Sequence, residues 1–274
     1  MFGIAFCYPG EWVNPDSLLP NLRRLRALGY EAVEFWDTSV QHFGVDALAA
    51  ALHSAEIACA QLCPYFNFVD GPALWDESLS IADRYLSYAT RLHAPLLRVF
   101  TGKPWGEGVV GPAQATPAQW TAAIDGLQRI CDMAAPRGIT LALECHTGSL
   151  MEDSPNTLRL LNSVARENLV VNLQLPLADG HEPLAVSIQE LGRYTRHMHI
   201  HNYTALVGGI LTTLADGVIS YTQVIDDLLQ QGFRGYLSIE HASHGGTRDP
   251  WEIAHIEASY LHQLRATLAR KGYR

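Results

Sequence analysis

The chain has 274 residues, 48% of them hydrophobic, and 19 basic against 28 acidic side chains give a formal net charge of −9. That length suits one large domain with a sizeable core, and an acidic chain without a basic block argues against nucleic acid or an anionic membrane surface as partner. Five cysteines (Cys7, Cys59, Cys63, Cys131, Cys145) form no CxxC pair and lie in apolar stretches, the pattern of buried thiols in a reducing compartment; without a signal-like start or a membrane-length apolar run, a soluble, cytoplasmic protein is expected.

Short apolar runs alternate with longer segments of helical period, the pattern of repeated βα units on a parallel sheet. Eight strands are predicted, over residues 3–7, 32–36, 57–63, 96–101, 139–144, 169–174, 196–201 and 235–240. Helical segments lie between them. Residues 16–28 close on Gly29, and 75–92 carry apolar positions at Leu79, Leu86 and Ala89. Thr116-Pro117 opens a helix with Thr as its cap, Pro136-Arg137-Gly138 ends it, and Ser154-Pro155 starts the next in the same way. Residues 182–191 form a short helix, and 221–231 and 251–268 two longer ones. No linker or internal repeat divides the chain, so residues 1–274 read as one α/β domain, a (β/α)8 TIM barrel, with an open doubly wound sheet as runner-up. The Gly-rich connection 102–114, which carries Lys103 and Trp105, is long for a βα loop and is expected to cover the barrel mouth as a lid.

The C-terminal ends of barrel strands carry the active site. Here they supply Glu34 and Trp36, Arg98, Glu144 and His146, Gln174, His199 and His201, and Glu240. Carboxylates, imidazoles and an amide oxygen from separate strands suit Mn²⁺, Mg²⁺ or Zn²⁺. In HMHIH, strand parity sends His197, His199 and His201 the same way: His199 is expected to ligate, His201 to face substrate or support a ligand, and His197 to be a hydrogen-bonded core residue. His241 and Cys145 have the opposite parity to Glu240 and Glu144 and are assigned to packing between sheet and helices. His181 and His244 fall in loops and are expected at the surface.

At these residues the chain resembles the xylose isomerase-like TIM barrels, and within them the sugar phosphate isomerase/epimerase group that includes ketose 3-epimerases and the endonuclease IV type. The stretches that carry the resemblance are GYEAVEFW, LLRVF, LALECH, HMHIHN, LADGVISYTQVIDDLLQQGFRGYLSIEH and DPWEIAHIEASYL. The resemblance implies a divalent ion, Mn²⁺ first with Mg²⁺, Co²⁺ or Zn²⁺ as alternatives, on Glu144, His199, Glu240 and the residue at 174. Most members have Asp at that place, and this chain has Gln174; three residues on, epimerases and endonucleases tend to have His, and this chain has Leu177. Two carboxylates neutralise a 2+ ion where three leave an excess negative charge, so Gln174 predicts a weaker-held, more Lewis-acidic metal.

The implied activity is metal-dependent isomerisation or epimerisation of a small sugar or keto-sugar through an enediolate. Glu144 and Glu240 would act as catalytic acid and base, His146, His201 and Arg98 would orient hydroxyls, and Trp36, Trp105 or Phe66 would form an apolar wall. The alternatives are a lyase or deglycosidase acting on an oxidised (3-oxo) sugar or glycoside, and a non-catalytic sugar-binding barrel subunit. Phosphodiester cleavage at abasic DNA is disfavoured by the charge, Gln174 and Leu177. The expected partner is a small carbohydrate, with homo-oligomers compatible.

Overall fold

The protein is described here by a computed structural model covering residues 1–14, 16–103, 105–106 and 108–273. Eight parallel strands close into a barrel: β1 (Gly3–Cys7), β2 (Ala32–Trp36), β3 (Ala58–Cys63), β4 (Leu96–Val99), β5 (Thr140–Glu144), β6 (Leu169–Gln174), β7 (Thr195–Ile200) and β8 (Tyr236–Ile239). Each strand pairs with its sequence neighbours, and β1 pairs with β8, so the open doubly wound alternative is excluded. Around the barrel run α1 (Leu18–Ala27), α2 (Asp37–Phe43), α3 (Val45–Ala55), α4 (Pro72–Leu92), α5 (Pro117–Ala134), α6 (Ser154–Val164), α7 (Leu184–Leu191), α8 (Tyr221–Gln230) and α9 (Pro250–Arg270). The fold is a (β/α)8 TIM barrel with an extra helix after β2.

Alternation along each strand explains where the core lies. Outward side chains such as Ile4, Phe6, Val33 and Phe35 join the helices in one continuous apolar layer. Inward, Ala5, Ala32 and Ala60 pack with Tyr236, and Leu96, Ala142 and Val170 form a second small cluster. Two residues further along the same strands the inward positions become polar: Glu34, Arg98, Glu144, Asn172 and Ser238, all essentially inaccessible to solvent. The apolar floor thus supports a polar layer near the C-terminal ends of the strands.

Helix boundaries follow local chemistry. Thr116 and Gln119 form a capping box at α5, as expected. At α6 the cap is Asp153, which accepts the Asn156 N–H, and Ser154 is the first helical residue, its hydroxyl donating to Glu182. The connection from β7 to α8 is an excursion that the sequence reading did not resolve: Asn202–Tyr203 pairs antiparallel with Leu211–Thr212 in a small ribbon beside the barrel mouth. Buried Asn202 donates to the Leu214 and Ile219 carbonyls, and buried Glu257 of α9 accepts the Leu214 N–H at 2.9 Å. Among the described residues no helix is long and apolar enough to cross a membrane.

Glu257 makes the stability of this excursion pH-dependent. Burial, reinforced by Asp216 and partly offset by the Leu214 N–H and Arg248, pushes its carboxyl up to about 7. A carboxyl with a folded pKa above its unfolded value binds a proton on folding, so its cost is absent in acid and grows as pH rises from the unfolded pKa through about 7. Glu257→Gln is therefore expected to be more stable than wild type at pH 8, by up to about 2–3 kcal/mol, with the gap closing near pH 4.5. Urea midpoints at the two pH values measure it, and parallel pH profiles for both proteins would contradict it.

Candidate metal centre at the barrel mouth

The lowest member of the polar layer is Glu34 of β2, which is completely buried. Its Oε1 accepts from the Cys7 thiol and lies 3.1 Å from His197 Nε2. Its Oε2 accepts from Gln61 Nε2 at 2.9 Å and lies 3.0 Å from His199 Nε2, with the Cys63 thiol at 3.4 Å. Burial alone would raise this carboxyl, but the imidazoles of His199 and His197 outweigh it and hold Glu34 well below the usual carboxylate range. An ionised Glu34 accepts Nε2–H from both rings, which turns the other nitrogen of His199 toward the mouth.

That nitrogen, His199 Nδ1, lies 3.6 Å from Glu144 Oε1 and 3.6 Å from Glu240 Oε1. The second oxygen of each carboxylate is committed elsewhere. Glu144 Oε2 accepts from Arg98 at 3.0 Å, and Glu240 Oε2 accepts from Gln174 Nε2 at 2.9 Å, with His201 Nδ1 and His241 Nε2 at 3.3 and 3.4 Å. Three acceptor atoms therefore face one another once Nε2 of His199 carries the proton, with the Asn172 amide, 3.4 Å from His199 Nδ1, as the donor beside them. A cation at the centre, or a second proton on His199, offsets the repulsion between the two carboxylates. Burial works against that second proton, but Glu34, Glu240 and Glu144 together push His199 well up. Gln174 Oε1 is buried with no partner, and a fourth donor, an oxygen, is thereby available. The residues present fit a divalent ion, with Glu144, His199 and Glu240 as ligands within reach of one another and Gln174 beside them.

The remaining expected residues are distributed differently. Trp36 is half-buried, its ring 6.4 Å from those of Tyr65 and His199, and Trp105 packs edge-on against Tyr65 at 5.4 Å and lies 6.0 Å from His146. The expected lid, 102–114, thus brings Trp105 to the mouth, while Pro104 and Glu107 lie outside the described residues. His146 and His201 line a hollow of about 350 Å³ together with Gln174, Asp179 and Tyr203. His197 is a fully buried core residue on Glu34.

Three expectations are corrected. Arg98 does not reach the hollow: it is fully buried under Trp36, Tyr65 and Phe100, donates to the Cys63 and Pro64 carbonyls, and acts on Glu144. Phe66 is buried and stacked on Phe68, and the aromatic facing Arg98 and Trp105 is Tyr65. His241 does not pack between sheet and helices: β8 ends at Ile239, the backbone turns left-handed at His241 (φ 54°), and the ring comes to 5.1 Å from His201. Strand parity simply does not extend beyond the strand. Cys145 does face α6, its thiol 3.7 Å from the Thr157 hydroxyl.

Sequence reading missed the supporting residues Gln61, Cys63, Asn172, Tyr65 and Tyr203. Asn172, whose Nδ2 lies 3.2 Å from His199 Nε2 and 3.4 Å from Nδ1, shares strand parity with Gln174, and that signal was legible. Tyr65 and Tyr203 follow strand ends, where no period applies.

Glu34→Gln tests the support of His199. Gln offers one acceptor oxygen where the carboxylate offers two, so His199 loses its fixed tautomer. Mn²⁺ affinity is expected to fall by about 10–100-fold, the usual effect of removing a carboxylate behind a histidine ligand. Calorimetric titration of the purified variant, with circular dichroism to confirm folding, reads it out; unchanged affinity would detach Glu34 from the centre.

Comparison with known proteins accords with this architecture. The sequence pattern of the xylose isomerase-like TIM barrel matches residues 22–266. An inosose dehydratase of Geobacillus thermodenitrificans is 24% identical over 54% of this chain and 55% of its own, and a 3-dehydroshikimate dehydratase of Bacillus anthracis 20% identical over 73% and 77%. The chain therefore spans about half the length of the first of these relatives. A D-allulose 3-epimerase from Methylomonas sp., solved with D-allulose, superposes with a TM-score of 0.77 over 96% of both chains at 16% identity, a likeness of fold. With eight strands closed in βα order and the family pattern running over most of its length, the chain belongs to the xylose isomerase-like TIM barrel family.

Proposed function

We propose that this chain is a metal-dependent enzyme that removes a proton α to the carbonyl of a small polyhydroxy ketone or aldehyde, and returns it as a sugar isomerase or epimerase does. The observation that carries the reading is the convergence of Glu144 Oε1, His199 Nδ1 and Glu240 Oε1 on one point, each residue's other polar atom being held from outside. A divalent ion, Mn²⁺ by the mixed oxygen and nitrogen donor set, supplies Lewis acidity when bound, polarising the carbonyl.

The chain's own residues do the rest. Burial raises Glu144, but Arg98 and His199 hold it below the usual carboxylate range; Glu240 is held low in the same way by His241, His199 and His201. Both are ionised at neutral pH and can accept the α proton on opposite sides of the centre. Burial pushes His201 down, so its ring is neutral, 3.3 Å from Glu240 Oε2 at the edge of the hollow, where it can carry a proton onward. Trp36, Tyr65 and Trp105 supply the apolar side of the mouth.

A second reading is favoured by two of the sequence relatives, which are dehydratases. The same deprotonation, followed by departure of a β-hydroxyl as water, makes the protein a lyase. The outcomes separate in D₂O: an epimerase or isomerase incorporates deuterium with the carbon skeleton and oxygen count unchanged, whereas a lyase yields an enone with new ultraviolet absorbance.

Replacing Glu144 or Glu240 by Gln keeps size and an oxygen donor but removes the base. Solvent deuterium exchange into the substrate is expected to fall by roughly 10²–10⁴-fold at saturating metal. Wild-type exchange in both variants, with metal content confirmed, would remove the two carboxylates from the mechanism. Gln174→Asp adds a third anionic ligand, and Mn²⁺ affinity should rise on the order of tenfold, since ligand charge tunes the affinity of hard cations. A fall in affinity would instead assign the Gln174 amide N–H a role that Asp cannot fill.

A further inference from the structure

We infer that the substrate of this site is an uncharged polyhydroxy carbonyl compound, bearing neither phosphate nor carboxylate, and that Asp179 enforces the choice. The inference deepens the function proposed above and rests on it for the identity of the site.

The hollow beside the candidate centre draws its polar side chains from His146, Thr147, Gln174, Asp179, His201 and Tyr203, and among the described residues no ammonium or guanidinium lines it. Neither of the two cations beside the aromatic residues of the mouth lines this hollow. Arg98 is buried, with its guanidinium committed to Glu144 and two carbonyls. Lys103 lines a separate hollow together with Glu77, Tyr65 and Trp105. A phosphate or carboxylate offers only acceptors at neutral pH and is bound by forked or point cations.

What the hollow does offer is acceptors. His146 Nδ1 lies 2.6 Å from the Thr147 carbonyl, so Nδ1 carries the proton and Nε2 is left to accept. Asp179 is an exposed acid at the rim. These groups call for hydroxyl donors. Tyr203 senses the same field: burial, then Glu240, then Asp179 push its phenol up to about 12.

Asp179 is held in place by a built wall. Ala178 and Asp179 both turn left-handed (φ 50° and 51°), the Ala178 N–H is fixed on the Glu152 carbonyl, and the next residue packs against the ribbon. A Cβ added at Gly180 would lie 2.2 Å from the Leu206 carbonyl oxygen, so the two loops meet with room for glycine alone. The carboxylate therefore stands over the hollow on a braced turn, and repels any anionic ligand that approaches.

The test is calorimetric binding to the Mn²⁺-loaded full chain. The probes are D-allulose, D-fructose and an inosose as neutral ligands, and D-allulose 6-phosphate, fructose 6-phosphate and 3-dehydroshikimate as charged ones. At least one neutral probe is expected to bind tenfold or more tighter than its charged counterpart, and Asp179→Lys, a change at an exposed position, is expected to shift that ratio about tenfold toward the charged probe. Tighter binding of a phosphate or carboxylate by wild type overturns the inference, as does silence of every neutral probe or an unchanged ratio in Asp179→Lys. Binding is read without turnover. A preserved preference with no deuterium exchange thus counts against the proposed chemistry alone.

Discussion

A carboxylate with no access to solvent anchors the site. Glu34 is costly to bury, since an ion taken out of water must recover its solvation from fixed partners. It recovers it from β1, β3 and β7 together: a thiol on each of Cys7 and Cys63, the Gln61 amide, and the His197 and His199 rings. Because those donors come from strands on either side of β2, the carboxylate ties part of the barrel wall together at one depth. Losing it would leave several buried donors unsatisfied, a defect worth about 3–5 kcal/mol in comparable buried pairs. The same contact sets the chemistry above it, because the hydrogen bond that His199 Nε2–H donates to Glu34 decides which nitrogen faces Glu144 and Glu240.

The next layer repeats the arrangement with the signs reversed. Arg98 is as buried as Glu34, and three aromatic faces at 4.5 to 4.7 Å surround its guanidinium. Two backbone carbonyls take up one side of the fork and Glu144 the other. Glu144 is thereby fixed in position and kept ionised. Glu240 has no such cation: the Gln174 amide donates to it, and the His201 and His241 rings lie 3.3 and 3.4 Å away. The two acids are thus alike in placement and unlike in support, an asymmetry suited to groups with different parts in one proton transfer.

Most of the barrel was legible in the sequence because each strand is a short apolar run and each inward position keeps period two. Glu144, Gln174 and His199 fall where that period puts them. Reading failed where the period stops. His241 follows the end of β8, and its left-handed backbone swings the ring to the mouth; Tyr65 and Phe66 follow the end of β3, where neither has a predictable side. Arg98 has the parity of a site residue, and parity cannot report access: Trp36, Tyr65 and Phe100 cover its guanidinium, which is committed to Glu144 and two carbonyls. The ribbon at 202–212 has strands of two residues, too short for any alternation to show. Asn202 and Glu257, which pin it, lie in different elements, and only the folded chain brings them together.

Charge bears on position 174, where the family resemblance implies an Asp and this chain has Gln174. The buried cluster holds three carboxylates, Glu34, Glu144 and Glu240, and one permanent cation, Arg98, leaving two negative charges when the histidines are neutral. Without an ion the cluster draws a proton onto His199, which removes one of them. A divalent ion removes both and needs no protonated ligand. An Asp at position 174 would leave a third charge inside a wall of low dielectric, to be met by a cation from elsewhere, whereas Gln174 offers an oxygen at no charge and uses its N–H to steady Glu240. With a divalent ion bound, the interior would balance. What a ligand meets at the mouth is set by the rim, where Asp179 stands and no lysine or arginine lines the hollow among the described residues.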